Sequence, residues 1–271
     1  MSPTVAVAQF APSADPAENL AEIGRLARAA ADQGAGLVVL PEYASYFDRR
    51  PGPSFVAHAE PLDGPFVAGL AALADALGLA LVAGLVETST VPGRFRNTLV
   101  AVLPGAGLVA HYPKLHLYQS FGGDESDWIE PGEITAPPTF AWGGFTVGLE
   151  TCYDIRFPEV TRRLVDAGAD LVLVPAAWVP GPHKVDHWRT LVTARAIEDT
   201  VYLVGSGQTG PAGIGTSLVV DPMGIPLVEL GVEPGLAIAE LDPARIAEVR
   251  AANSALAVRR FRVEPGAPAL R

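Results

Sequence analysis

The stretch Gly144-Phe145-Thr146-Val147-Gly148-Leu149-Glu150-Thr151-Cys152-Tyr153-Asp154-Ile155-Arg156-Phe157-Pro158-Glu159 reads as three elements in succession. An apolar, β-prone run leads into Cys152, a polar turn follows, and Pro158 with Glu159 suits a helix start. Proline gives up no hydrogen bond at the first helical position, and an acidic side chain meets the positive end of the helix dipole. Cys152 is the sole cysteine of 271 residues. Two readings of it stand side by side. A lone cysteine is commonly a small buried hydrophobe, whereas a thiol at a helix start has a lowered pKa and more thiolate.

Working outward, the chain before this stretch alternates strand and helix. Residues 4–10 form a first strand by period and propensity. Asp15-Pro16 caps a helix carrying Leu20, Ile23, Leu26, Ala27 and Ala30 at helical spacing, expected to end near Gly34. Leu37-Val38-Val39-Leu40 is wholly apolar and ends at Pro41-Glu42, the pattern of a strand buried on both faces. This strand–helix–strand unit predicts a parallel pair with a right-handed crossover. A helix over 64–77 and strands over 79–86, 97–103 and 107–111 follow. Residues 118–138, with Gly122-Gly123 and Pro131-Gly132, read as a turn-rich surface loop that carries polar side chains towards a site.

After Glu159 come a buried strand over 170–175 and a helix over 184–198, with Val185, Trp188, Leu191, Val192 and Ile197 expected inward. Strands over 201–204, 215–220 and 236–241 precede a last helix opened by Asp242-Pro243. No linker, charge run or internal repeat interrupts the pattern. The reading is one α/β domain over residues 1–271.

Composition bounds the function. The chain is 49% hydrophobic, enough for a large core. Its formal charge of −11 argues against nucleic acid or an anionic membrane as partner. The first ten residues lack a basic leader and a cleavage signature, and no apolar run reaches the roughly 18 residues of a membrane span. A soluble, cytoplasmic protein is expected. One cysteine excludes an intrachain disulfide, and His183 with His187 lacks a third metal ligand nearby, so neither metal nor cofactor is expected. Gly205-Ser206-Gly207-Gln208-Thr209-Gly210 has dinucleotide-binding spacing, but Pro211, Gly213 and Gly215 allow no helix behind it.

Three chemical groups then fall just past strands: Glu42, Lys114 and Cys152. Singly, each has a plain reading, as a turn cap, a snorkelling lysine and a core thiol. Together they form a coherent set. Glu42 can take the thiol proton, Lys114 can stabilise thiolate and then oxyanion, and the glutamic acid can return its proton to a leaving nitrogen. That is amide hydrolysis through a thioester.

The same residues carry a resemblance. Pro41-Glu42, Lys114-Leu115-His116-Leu117 and Cys152-Tyr153-Asp154-Ile155-Arg156-Phe157-Pro158-Glu159 resemble, in order and spacing, the Glu, Lys and Cys motifs of the nitrilase superfamily of carbon–nitrogen hydrolases. The similarity spans residues 4 to about 262. It implies an α-β-β-α four-layer sandwich of two mixed sheets, and a homodimer. It also implies a second glutamate, Glu125, orienting Lys114, substrate or water, and an oxyanion hole completed by the backbone N–H of Tyr153. Arg156 and Trp178 fall on the substrate side.

Within the superfamily, Lys114-Leu115-His116-Leu117-Tyr118, Val174-Pro175-Ala176-Ala177-Trp178 and Arg259-Arg260-Phe261 are similar to bacterial deaminated-glutathione amidases. This implies hydrolysis of a small carboxylated amide to acid and ammonia. ω-Amidases acting on keto-acid amides such as 2-oxoglutaramate, and aliphatic nitrilases, are the neighbouring branches; a catalytically idle binding module is the alternative from another class. A carboxylated substrate calls for a cation near the mouth, and Arg156, Lys184 and Arg189 are the candidates, Arg156 having a helix-start ion pair as its other reading. One departure stands out. Glu150, two residues before Cys152, takes the place of an apolar residue, and a second anion there would raise the thiol pKa. It either pairs with a buried arginine or points away from the thiol.

Overall fold

In the computed structural model, residues 2–120 and 123–266 are described. Phe121 and Gly122, in the middle of the expected turn-rich loop, lie outside them, as do Met1 and the last five residues. The strands are β1 (Thr4–Gln9), β2 (Leu37–Val39), β3 (Ala80–Thr88), β4 (Phe95–Leu103), β5 (Gly107–Pro113), β6 (Gln119–Ser120), β7 (Gly123–Asp124), β8 (Thr139–Trp142), β9 (Phe145–Leu149), β10 (Leu171–Ala176), β11 (Tyr202–Gly207), β12 (Leu218–Val220), β13 (Pro226–Glu229) and β14 (Gly235–Glu240). The helices are α1 (Pro16–Ala31), α2 (Pro53–Ala57), α3 (Pro65–Leu77), α4 (Pro158–Asp166), α5 (Lys184–Asp199) and α6 (Pro243–Ala252).

The strands build two six-stranded sheets, ordered β14-β1-β2-β3-β4-β5 and β13-β12-β11-β10-β9-β8. In each, three central strands run parallel, β1-β2-β3 and β9-β10-β11, and antiparallel strands flank them. Strand alternation explains why the sheets stack. Val5 and Val7 of β1, with Val39 and Val82, meet Val147, Leu173 and Val204 of the other sheet in a shared core. Ala6 and Ala8 point the other way, into a layer formed with Ile23 and Leu26 of α1 and Phe66 and Leu70 of α3. On the second sheet, Val172, Val174 and Leu203 pack under Leu164 of α4 and Trp188 and Val192 of α5. The layers are therefore α-β-β-α, the mixed four-layer sandwich that the resemblance implies.

Local signals explain the element ends. The Asp15 carboxylate caps α1 by accepting from the N–H groups of Ala17 and Glu18. Gly143 and Gly144, both at positive φ, close the β8–β9 hairpin, so the opening stretch enters the sheet as its second arm. Two expectations fail. Ile197 is exposed rather than inward; Arg195, Ala196 and Asp199 occupy the buried face at the end of α5. The strand expected over 215–220 pairs only from Leu218, because Gly215 and Thr216 take left-handed conformations that break its start.

Candidate active site

Glu42 follows β2, Lys114 follows β5 and Cys152 follows β9, and all three line one cavity of about 790 Å³ with Glu125, Tyr118 and Trp178. The first two belong to one sheet and Cys152 to the other, so the site lies across the sandwich. Its backbone is held away from relaxed geometry. Tyr43 and Cys152 have φ of 56° and 48°, a region that side chains with a Cβ seldom adopt. Gly84 of β3 lets the Glu42 turn come close: a Cβ there would lie 2.2 Å from the Tyr43 nitrogen. Cys152 itself opens a single tight helical turn, Cys152–Arg156, which ends before α4 begins at Pro158.

The Lys114 ammonium is fully buried and bridges two carboxylates, donating to Glu42 Oε1 at 3.0 Å and to Glu125 Oε2 at 2.9 Å. Glu42 is fixed on every side. Asn97 Nδ2 donates to Oε1 at 2.6 Å, the Ala177 N–H to Oε2 at 2.5 Å, and Gln208 Nε2 to the Glu42 carbonyl at 2.8 Å. Glu125 accepts from the Tyr43 hydroxyl at 2.9 Å and the Tyr118 N–H at 2.8 Å. The loop behind it is stitched to the first sheet by the Phe95 N–H to Trp128 and the Glu130 N–H to Phe95. Sequence reasoning named the three ionic groups and missed Asn97, Tyr43, Gln208 and the Ala177 N–H. Asn97 carried a signal, being an amide inside a run of β-branched and apolar residues.

Charge arithmetic sets the resting protonation. Two carboxylates and one ammonium already leave the cluster with an excess negative charge. Burial first, and then Glu42, push the Cys152 thiol well above its ordinary pKa; Lys114 pulls the other way without prevailing. The helix-start expectation of a lowered thiol pKa is thus overturned, since α4 begins too far along the chain and a carboxylate stands beside the sulfur. The thiol rests neutral beside Glu42. Burial lowers the Lys114 pKa, yet Glu125 and Glu42 outweigh it and hold this pKa well above that of an ordinary lysine.

Glu150 proves separate from this cluster. It is fully buried on the α4–α5 side, where Thr161 Oγ1 donates to Oε2 at 2.8 Å and Oε1 lacks a hydrogen-bond partner. Burial, with Asp154 and Asp199 nearby, raises its pKa to about 8. At neutral pH it is mainly the uncharged acid, so Glu150 adds no further anion to the two carboxylates near the thiol. Arg195 is close enough to favour its charged form, but donates instead to the Ile155 carbonyl at 3.1 and 2.8 Å.

The cations divide clearly. Lys184 lines the cavity, its ammonium 4.7 Å from the Trp178 ring centre and 5.3 Å from that of Tyr118. Arg156 stacks on Trp178 at 4.8 Å and on Tyr153 at 5.9 Å, outside the cavity lining. Arg189 is ion-paired with Glu229 and lies away from the cavity. Tyr153 and Trp178 both line it. Among the described residues no group of three or more His, Cys, Asp or Glu could hold a metal ion.

Residues 4–251 match the carbon–nitrogen hydrolase family. The chain is 39% identical over 262 residues to the hydrolase Rv0480c of Mycobacterium tuberculosis, covering 91% of each. It is 38% identical to a deaminated glutathione amidase of Escherichia coli, over 95% of this chain and 97% of that one. Among solved structures, an amidase from Nesterenkonia sp. AN1 in complex with acrylamide superposes with a TM-score of 0.80 at 32% identity, covering 96% and 94% of the two chains.

Proposed function

The chain belongs to the carbon–nitrogen hydrolase family, and from that premise we propose a cysteine-dependent amidase in which Glu42, Lys114, Glu125 and Cys152 act as one unit on a small carboxylated amide. One observation carries this reading: the buried Lys114 ammonium bridges Glu42 and Glu125 in the same cavity that Cys152 lines. In the reaction, Glu42 takes the thiol proton as sulfur attacks the amide carbonyl. The developing oxyanion is stabilised by Lys114 and the Tyr153 backbone N–H. Glu42 then protonates the departing nitrogen, which leaves as ammonia from a primary amide or as an amine from a substituted one. A thioester on Cys152 remains. Water, deprotonated by Glu42, attacks it, releasing the acid and restoring the thiol. Glu125 keeps Lys114 charged and aimed throughout.

The raised thiol pKa fits this scheme. A neutral thiol beside a fixed base forms its nucleophile only as the carbonyl arrives, when the oxyanion shares the Lys114 charge.

For the substrate we favour a deaminated-glutathione-like amide. Lys184 on the cavity wall would meet its carboxylate, Trp178 would shelter the chain, and Arg156 would act from behind Trp178. The cavity is large for a five-carbon amide. A 2-oxoglutaramate amidase is the neighbouring possibility. Incubation with deaminated glutathione, 2-oxoglutaramate and a simple nitrile, with the acid products followed by mass spectrometry, separates them. The account predicts fastest turnover of deaminated glutathione; hydrolysis of neither amide would overturn it.

The reading extends to the whole chain as a single domain acting in the cytoplasm, where a lone catalytic thiol stays reduced. No helix among the described residues is long and apolar enough to cross a membrane. A homodimer completes it, supported by an exposed apolar patch where Ile197 of α5 lies beside Met223 and Ile225 of the β12–β13 turn.

A further inference from the structure

Lys114 and Cys152 come from different sheets, and their separation decides whether the ammonium meets the oxyanion. The residue that ties the two segments together is Asp154, fully buried in the turn that Cys152 opens. One carboxylate oxygen, Oδ1, accepts from the His116 backbone N–H at 2.9 Å and from His116 Nδ1–H at 2.8 Å. The other, Oδ2, accepts from the Tyr112 hydroxyl at 2.9 Å and, more weakly, from the Thr151 N–H at 3.4 Å. Tyr112 and His116 stand two residues on either side of Lys114, whereas Thr151 and Asp154 bracket Cys152. The His116 ring also stacks on Phe157, 3.7 Å between centres, closing the same joint from outside.

We propose that Asp154 is a positioning residue for the reaction, a buried clamp whose carboxylate fixes the lysine segment against the nucleophile turn. The inference rests on the roles given above to Lys114 and Cys152. Asp154 touches neither substrate nor sulfur. Both of its oxygens accept from the lysine segment while the residue itself belongs to the turn that Cys152 opens, and a carboxylate with no donor of its own is the side chain that four converging donors require. An asparagine would set an N–H₂ either against the two N–H groups of His116 or against the N–H of Thr151, and release one arm. Displacement of a reacting group by about 1 Å costs on the order of 10²-fold in rate.

The sole cysteine makes the test direct. Iodoacetamide transfers its acetamide group to the Cys152 sulfur as iodide leaves and the thiol proton passes to Glu42, and intact mass reports the single addition. Asp154→Asn is compared with wild type in the saturation kinetics of alkylation and in kcat and KM for deaminated glutathione, with thermal unfolding recorded alongside. The clamp predicts a maximal alkylation rate and a kcat both about 10-fold or more lower, with half-saturation and KM within about 3-fold of wild type. A purely structural role predicts the opposite sign for alkylation, because loosening the fold exposes the thiol and speeds labelling. A folded Asp154→Asn protein with wild-type rates, or with faster labelling, overturns the inference. Should that variant fail to fold, Tyr112→Phe and His116→Ala each remove one arm, and wild-type rates in both overturn it equally. Cys152→Ala separates this inference from the reading it rests on: persistent turnover in that protein would discard the mechanism itself.

Discussion

At the residue scale, ionisation decides what each carboxylate does. Glu42 and Glu125 share an ammonium, whereas Glu150 has only a hydroxyl and is held as the acid by burial. Its folded pKa of about 8 lies above an ordinary value near 4.5, and that of buried Asp199 rises to about 7 from 3.8. Groups raised in this way contribute stability fully below the unfolded pKa and lose it as pH climbs through the folded one. Melting temperature should therefore fall between about pH 4.5 and 8. Glu150→Gln keeps the acceptor for Thr161 and removes the titration, so it should flatten that slope and stabilise the protein at pH 8 by a few kcal/mol at most. Calorimetry across the range checks this; an unchanged slope would show that Glu150 is ionised in the fold. Glu42, Lys114 and Cys152 stood out in the sequence because each falls just past a strand, whereas Glu125 came only from the resemblance. The protonation of Glu150 was not legible there, since it depends on Thr161, Asp199 and burial from helices distant in the chain.

The element scale explains why the site has a fixed shape. The turn after β2 rests on β3 at Gly84, whose N–H donates to the Pro41 carbonyl at 3.0 Å. A Cβ at that position would come within 2.7 Å of the Glu42 Cα, against backbone that cannot swing aside. Gly84→Ala should therefore cost about 1–3 kcal/mol of stability and lower kcat more than KM, as the base is pushed off its mark. Chemical denaturation together with steady-state kinetics measures both, and wild-type values would show that the turn is free to yield. Helix α1 and the central strands announced themselves through caps and apolar runs. The short strand β13 and the late start of β12 did not, because the left-handed Gly215 and Thr216 and the register shift at Val219/Val220 set those limits. Ile197 departs from its expected inward position for a related reason. The helical period places it near the inward face, but Arg195 and Asp199 claim the buried positions through the Ile155 carbonyl and Arg162.

For the molecule as a whole, the two-sheet sandwich brings the candidate catalytic groups together. Glu42 is held by Ala177 and Gln208 of the second sheet, and Lys114 faces Cys152 across the same seam, so neither sheet makes the site alone. That arrangement was available from the resemblance of the motifs rather than from periodicity, which gives strands without their order. On the outside, Ile197 packs beside Gly224 and leaves Met223 and Ile225 exposed, a patch suited to a second copy. Ile197→Asp should shift the protein from dimer to monomer in light scattering at micromolar concentration; a wild-type monomer, or a variant that remains dimeric, would remove the patch from the interface. The central claim, that Cys152 carries the acyl group, is tested most directly by acid-quenching the enzyme during turnover of deaminated glutathione and measuring intact mass. The account predicts an added acyl fragment mapped to Cys152, with neither adduct nor product from Cys152→Ala. Product formed by Cys152→Ala at the wild-type rate, or an acyl group mapped to another residue, would contradict it.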